Sequence, residues 1–223
     1  VITHNTIHTP IFHKRSHNKL MQIVLTLSYG HPVSSFVPGH NLSHHKFTQT
    51  PRDVMRTYKS RSQWNLVNML TFMPRVALAV VKGEQAFFKA TKTTHKRWHR
   101  QLRIEGAVLI GVTIALFLID WQSAILFWMV PHLVASWGIM SVNYLQHDGC
   151  DSEHDYNHSR NFTSAIFGFL TVENGFHGMH HLRPNLHWSL LREAHAKIIH
   201  PHIHPALEEP SLLVYLLKTF VWP

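Results

Sequence analysis

Two long apolar runs limit what this chain can fold into. Gly106 to Ile119 holds 14 residues without a charge, and Ser123 to Gln146 runs 24 residues without Asp, Glu, Lys or Arg; only Asp120-Trp121-Gln122 separates them. About 20 mostly apolar residues cross a bilayer. The second run qualifies outright, and the first does so if residues 102–105 and 120–122 serve as interfacial ends. The pair predicts a transmembrane helical hairpin with a tight polar turn and both ends on one side. Trp121 would sit at the far interface, and Pro131 is tolerable inside a span. The competing reading is a pair of buried helices in a soluble protein.

Charge supports the membrane. Between Lys46 and Arg103 stand 13 Lys/Arg and two acids, Asp53 and Glu84, and the rest of the chain is slightly acidic. A block of this kind suits either nucleic acid or the cytoplasmic flank of a membrane span. It adjoins the hairpin and lacks a recognised nucleic-acid motif, so no nucleic-acid partner is expected. The positive-inside rule then puts both hairpin ends in the cytoplasm. Upstream, Leu20 to Tyr29 is apolar but too short to span, and His31, Pro32, Pro38 and Gly39 follow. An interfacial or re-entrant segment is expected there. Trp64 to Phe88 is amphipathic and contains Pro74; it is expected to break there and to lie on the bilayer surface.

The chain has 22 histidines, more than its 12 acidic residues together, and one cysteine, Cys150. The single cysteine excludes a disulfide framework and a cysteine-based zinc module. The histidines fall into clusters. His4 and His8 form HxxxH, His40, His44 and His45 form HxxxHH, and His177, His180 and His181 form HxxHH. Residues three or four apart share a helix face, so each cluster can present imidazoles to a common ion. In the second cluster His40 and His44 share a face and His45 lies roughly 100° round, so one helix could serve two neighbouring metals. Asn143 and His147, also i and i+4, end the second span and would deliver a ninth imidazole to the same membrane face. Nine imidazoles exceed what one ion accepts; two ions with four or five each fit. Structural zinc prefers closed four-coordinate sites, so an all-histidine pair with open positions points to redox iron and O₂ chemistry. Asp148 and Asp151 could orient imidazole N–H groups, or be solvated loop carboxylates, and His158 could be an outer partner. His200, His202 and His204 are read as surface residues.

These motifs resemble a known family. HNTIH, HNLSHH, NYLQHDG and NGFHGMHH, followed by Pro184 and the His187-Trp188 pair, resemble the membrane fatty acid desaturase/hydroxylase superfamily of histidine-box diiron enzymes, over His4 to about His195. The resemblance implies an all-α integral membrane fold in which a cytoplasmic helical cap carries the histidine boxes, and it implies that Asn143 holds an iron through water. It also implies that box one follows a second transmembrane helix, so the first hairpin of a four-helix fold is expected to be missing here. A single domain is expected over 1–223. Boxes one and two with basic interfacial helices would occupy 1–103, the hairpin 104–146, the cap with box three 147–204, and the tail 205–223.

The expected activity is O₂-dependent introduction of a double bond into a fatty acyl or lipid chain, with two irons and electrons from an external donor. An acidic ferredoxin or cytochrome b5 could dock on the basic block, which could equally hold anionic lipid or be a plain tether. The three-residue gap between His40 and His44 also occurs in alkane-hydroxylase-like relatives. A diiron hydroxylase or ketolase on an alkyl or isoprenoid chain therefore stays open, although residues 157–161 (NHSRN) resemble acyl desaturases more. A metal transporter is the remote alternative. Phe117, Leu126, Trp128 and Trp137 could line an acyl tunnel, or simply face lipid.

Overall fold

The computed structural model describes residues 1–59 and 65–221. Trp64, the expected start of the amphipathic segment, and Trp222-Pro223 of the tail lie outside the described residues. The chain is mostly helical: α1 (Ile2–His8), α2 (Arg15–Tyr29), α3 (Val33–Gly39), a π-helical turn (His40–His44) running into α4 (His45–Phe47), α5 (Asn65–Thr91), α6 (Lys96–Ile119), α7 (Trp121–Ala124), a second π-helical turn (Ile125–Met129), α8 (Val130–His147), α9 (Ala165–Leu170), α10 (His177–Leu182), α11 (Leu191–Ile198) and α12 (Leu212–Leu216). Two short strands, β1 (Asn161–Phe162) and β2 (Glu208–Glu209), pair in parallel, Asn161 opposite Glu208.

α6 and the continuous helix over Trp121–His147 form the expected hairpin, and Asp120 makes its turn. The Asp120 carboxylate accepts the backbone N–H groups of Gln122 and Ser123 at 3.0 and 3.2 Å, satisfying donors that a helix start leaves open. The apolar side chains of the hairpin point outward: Leu118, Ile119 and Phe127 are each about four-fifths exposed. A soluble protein does not leave such a surface to water, so the buried-pair reading fails.

A third helix, α5, is also long and apolar enough to cross a membrane. This corrects the expectation of a segment broken at Pro74. A proline removes the N–H that would bond the carbonyl four residues back, here Leu70. The Trp137 indole of α8 donates to that carbonyl at 3.2 Å, so the helix continues through Pro74 with its freed acceptor satisfied. Phe72 and Val76 of α5 are fully buried. Phe72 packs on Tyr144 of α8 with ring centroids 5.3 Å apart.

α2 and α3 form a second hairpin that descends beside the spans and returns, as a re-entrant segment does. Near its start the Lys19 carbonyl accepts from Gln101 of α6, and near its end the Leu27 carbonyl accepts from His132 Nε2 in α8. Gly30 turns the chain at φ +79°, with the His132 ring so close that a Cβ would lie 2.3 Å from it. Only glycine meets both demands. α3 then starts against α6: the buried Glu105 carboxylate accepts the Ser34 N–H and hydroxyl, both at 2.8 Å. This contact fixes the direction of the segment that carries the second histidine cluster.

Two apolar cores support the site. One joins α5, α8, β1 and α12 through Phe72, Val76, Tyr144, Leu145, Phe162 and Tyr215. The other lies under the cap, where Cys150, Phe176 and Met179 meet Leu191, Ile199, Ile203 and Leu207.

Candidate metal centre

The nine histidines from four separate stretches converge. His4, His8, His40, His45 and His180 form one group, and His44, His147, His177 and His181 form another; within each, one ring nitrogen per residue lies within 4.8 Å of all the others. The groups abut, with the rings of His45 and His181 stacked at 4.2 Å. They lie at the C-terminal end of α8, the hairpin end that also carries the basic start of α6.

The division differs from the one that α-helical spacing predicts. His40 was expected to share an ion with His44 and to leave His45 to the other. Instead His40 and His45 face each other, Nε2 to Nε2 at 3.0 Å, and His44 turns to the second group. The cause is local. Residues 40–44 are π-helical, and the His45 N–H bonds the His40 carbonyl. An i to i+5 turn is wider than an α-turn, which brings residue i+5 round to the face of residue i. In α10 the division follows ordinary spacing: His177 and His181, one turn apart, share a group, with Nε2 atoms 3.2 Å apart. His180 faces the other group and stands 3.2 Å from His45.

The donor set fits a pair of cations. His44 Nδ1–H donates to Asp53 at 2.8 Å, and His147 Nδ1–H donates to the His158 carbonyl at 3.1 Å. Each ring therefore turns a bare Nε2 lone pair inward, yet those two atoms stand 3.1 Å apart, a repulsive contact unless a positive ion lies between them. His147 Nε2 is also 3.0 Å from His177 Nε2 and 3.2 Å from His181 Nε2. Two nitrogens bound to one ion at roughly 2.0–2.1 Å, about 90–110° apart, are separated by about 2.8–3.4 Å. In the first group His4 Nε2 and His8 Nε2 are buried without a hydrogen-bond partner. Burial, followed by repulsion from neighbouring imidazoles, holds His4, His40, His45, His177, His180 and His181 well below the usual histidine range, and the same causes bring His8 down to about 4. All stay neutral at neutral pH, as ligands must be.

The surrounding partners differ in part from expectation. Asp53 is the carboxylate that orients an imidazole. It is fully buried and accepts from His44, from the Gln49 N–H at 2.9 Å and from the Met55 N–H at 2.8 Å. Burial raises its pKa, but the attraction of His44 and these hydrogen bonds outweigh that and hold it below the usual carboxylate range. Its sequence signal was its isolation as one of two acids in the basic block, nine residues after His44. Asp151 is exposed and accepts the Glu153 N–H, while Asp148 accepts the Tyr144 hydroxyl. Neither carboxylate takes the orienting position that Asp53 holds. His158 contributes through its backbone carbonyl; its own ring bonds Ser159. Asn143 is buried and lines a cavity of about 30 Å³ with His4, His40 and His177, room for about one water. Its amide lies 3.5 Å from the Met55 carbonyl.

A larger, mostly apolar groove of about 270 Å³ runs from His40 between α3, α5 and α8, lined by Phe36, Met55, Met73, Ala77, Val80 and Met140 among others. Phe117, Leu126, Trp128 and Trp137 do not line it, which corrects the expected tunnel. Trp128 lines a separate groove against α6 that reaches neither histidine group, and Trp137 serves Leu70. One wall of the groove therefore belongs to α5, which periodicity alone places on the surface. His132, inside the hairpin, bonds the Leu27 carbonyl and joins neither group.

A model of the fatty acid desaturase family matches residues 1–208 of the 223. No curated protein and no solved structure gives a match.

Proposed function

The chain belongs to the fatty acid desaturase family, and from that premise we propose that it removes two hydrogens from neighbouring carbons of a fatty acyl chain, using O₂ and two externally supplied electrons. The observation that carries this reading is the meeting of two adjoining imidazole groups with the mouth of an apolar groove at His40. His4, His8, His40, His45 and His180 would hold one iron, and His44, His147, His177 and His181 the other, with Asn143 contributing through the water-sized cavity beside His4 and His177. Bound iron supplies the O₂-dependent removal of hydrogen from an unactivated CH₂.

The protein's own residues do the rest. Phe36, Met73, Ala77, Val80 and Met140 bind an alkyl chain by burying its CH₂ groups, at about 0.8 kcal/mol each, and exclude water from the reacting carbons. Fixing the chain against His40 restricts which carbons can react, because small misplacements cost large factors in rate. Asp53 and the His158 carbonyl hold protons at Nδ1 of His44 and His147, which keeps their Nε2 atoms available. The basic start of α6 at the same end supports a cytoplasmic placement of the site and docking of an acidic electron donor. Loss of two hydrogens or gain of one oxygen separates desaturation from hydroxylation, so lipid mass spectrometry of cells expressing the protein tests the reading. We expect unsaturated acyl product that disappears in His180→Ala. Oxygenated product alone, or product that survives in the variant, overturns it.

A further inference from the structure

Another donor cluster stands apart from the two histidine groups. His195 Nε2 lies 2.5 Å from Glu208 Oε1, and His200 Nδ1 lies 2.6 Å from Glu208 Oε2. Donor atoms of the three residues all fall within 4.8 Å of one another. They come from different elements: His195 from the last turn of α11, His200 just past its end, and Glu208 from β2. The His195 side chain is 4% exposed and that of His200 65%, so the cluster has a buried wall and a side open to water.

We propose that His195, His200 and Glu208 form a third metal site, which takes one borderline divalent cation of the zinc class. Two imidazoles and a carboxylate with open positions toward solvent are a donor set that such an ion favours. The cluster is also where a cation gains from the negative end of a helix: the His200 N–H closes the last turn by donating to the His195 carbonyl. The carboxylate already stands against both imidazoles, so little chain must move for all three to face one ion.

The location indicates a structural role. Leu191 and Ile199 join Phe176 and Met179 in the cap core. Glu208 pairs with Asn161 of β1, whose side-chain oxygen accepts the Gly178 N–H of α10 at 2.9 Å. An ion at this cluster would tie α11 and β2 together behind the helix that carries His177, His180 and His181. The proposal does not depend on which metal fills the two histidine groups.

The test uses the full chain, iron-loaded in detergent and then equilibrated with one equivalent of Zn²⁺. Zinc and iron are counted per chain, and Tm is measured with and without zinc. The expected result is one retained zinc, unchanged iron, and a zinc-dependent rise in Tm. In His200→Ala and Glu208→Gln, zinc affinity should fall at least tenfold and the rise in Tm should vanish, with iron unchanged. His200→Ala decides if Glu208→Gln fails to fold, because His200 is largely exposed. Retention of no zinc, equal retention in His200→Ala, or uptake only at the expense of iron would each overturn the proposal.

Discussion

Replacing Asp53 with Asn tests how the second histidine group is built. The two side chains have nearly the same shape, so packing is preserved and only the proton bookkeeping changes. Asp53 Oδ2 accepts from both His44 Nδ1 and the Gln49 N–H, and Oδ1 accepts from the Met55 N–H. Asparagine must put its NH₂ at one of these positions. At Oδ1 it faces the Met55 N–H and leaves that donor buried and unpaired. At Oδ2 it opposes the Gln49 N–H and forces His44 to accept at Nδ1, which moves the ring proton to Nε2 and removes the ligand lone pair. Either way one or two buried hydrogen bonds are lost, at about 1–3 kcal/mol for a stranded group. Loss of an outer partner of a ligating histidine lowers metal affinity roughly 10–100-fold. The assay is iron per chain at graded chelator concentrations, with turnover measured on the same samples. Asp53→Asn should lose one iron at a chelator concentration that leaves the parent with both, and turnover should fall with it. Equal retention of both irons would refute the argument that the charge and orientation of the Asp53 carboxylate strengthen His44 as a ligand.

Other outcomes follow from the geometry. Gly30→Ala sets a Cβ 2.3 Å from the His132 ring at a left-handed backbone position, and should cost about 2–5 kcal/mol from backbone strain and overpacking together; an unchanged Tm would contradict the α2–α3 turn. Ala77→Phe should narrow the groove beside Met140, cutting turnover at least tenfold with iron content intact, and full activity would place the acyl chain elsewhere. In the metal-free protein His8 is held at about 4 against an ordinary 6.5. The unfolded chain then binds a proton that the native state refuses, so stability rises with pH between these values and is lost as pH falls from 6.5 toward 4. The slope is about 1.4 kcal/mol per pH unit for each histidine so displaced. Denaturant titrations of chelated protein at pH 7 and pH 5 that gave equal stability would contradict the burial of these rings.

Much of the architecture is legible because it is written locally. The hairpin follows from uncharged runs of sufficient length and a capping Asp120. The histidine clusters follow from three- and four-residue spacing, which places side chains on one helix face whatever the rest of the chain does. α5 was harder to read. Its helix survives Pro74 only because Trp137, from an element 63 residues later, donates to the Leu70 carbonyl, and no pattern within α5 announces that donor. The groove is illegible for the same reason, since its walls belong to α3, α5 and α8 together.

The sequence alone determined which nine imidazoles gather at the end of the hairpin, because helix periodicity and membrane length are properties of neighbouring residues. The division into five and four was decided by the tertiary structure. It needs a widened turn at residues 40–44 to bring His45 beside His40, a buried Asp53 to fix the face that His44 presents, and helices from distant parts of the chain packed closely enough for His45 to meet His180 and for His44 to meet His147. Those contacts join residues more than a hundred positions apart, a separation across which local spacing carries no information about direction.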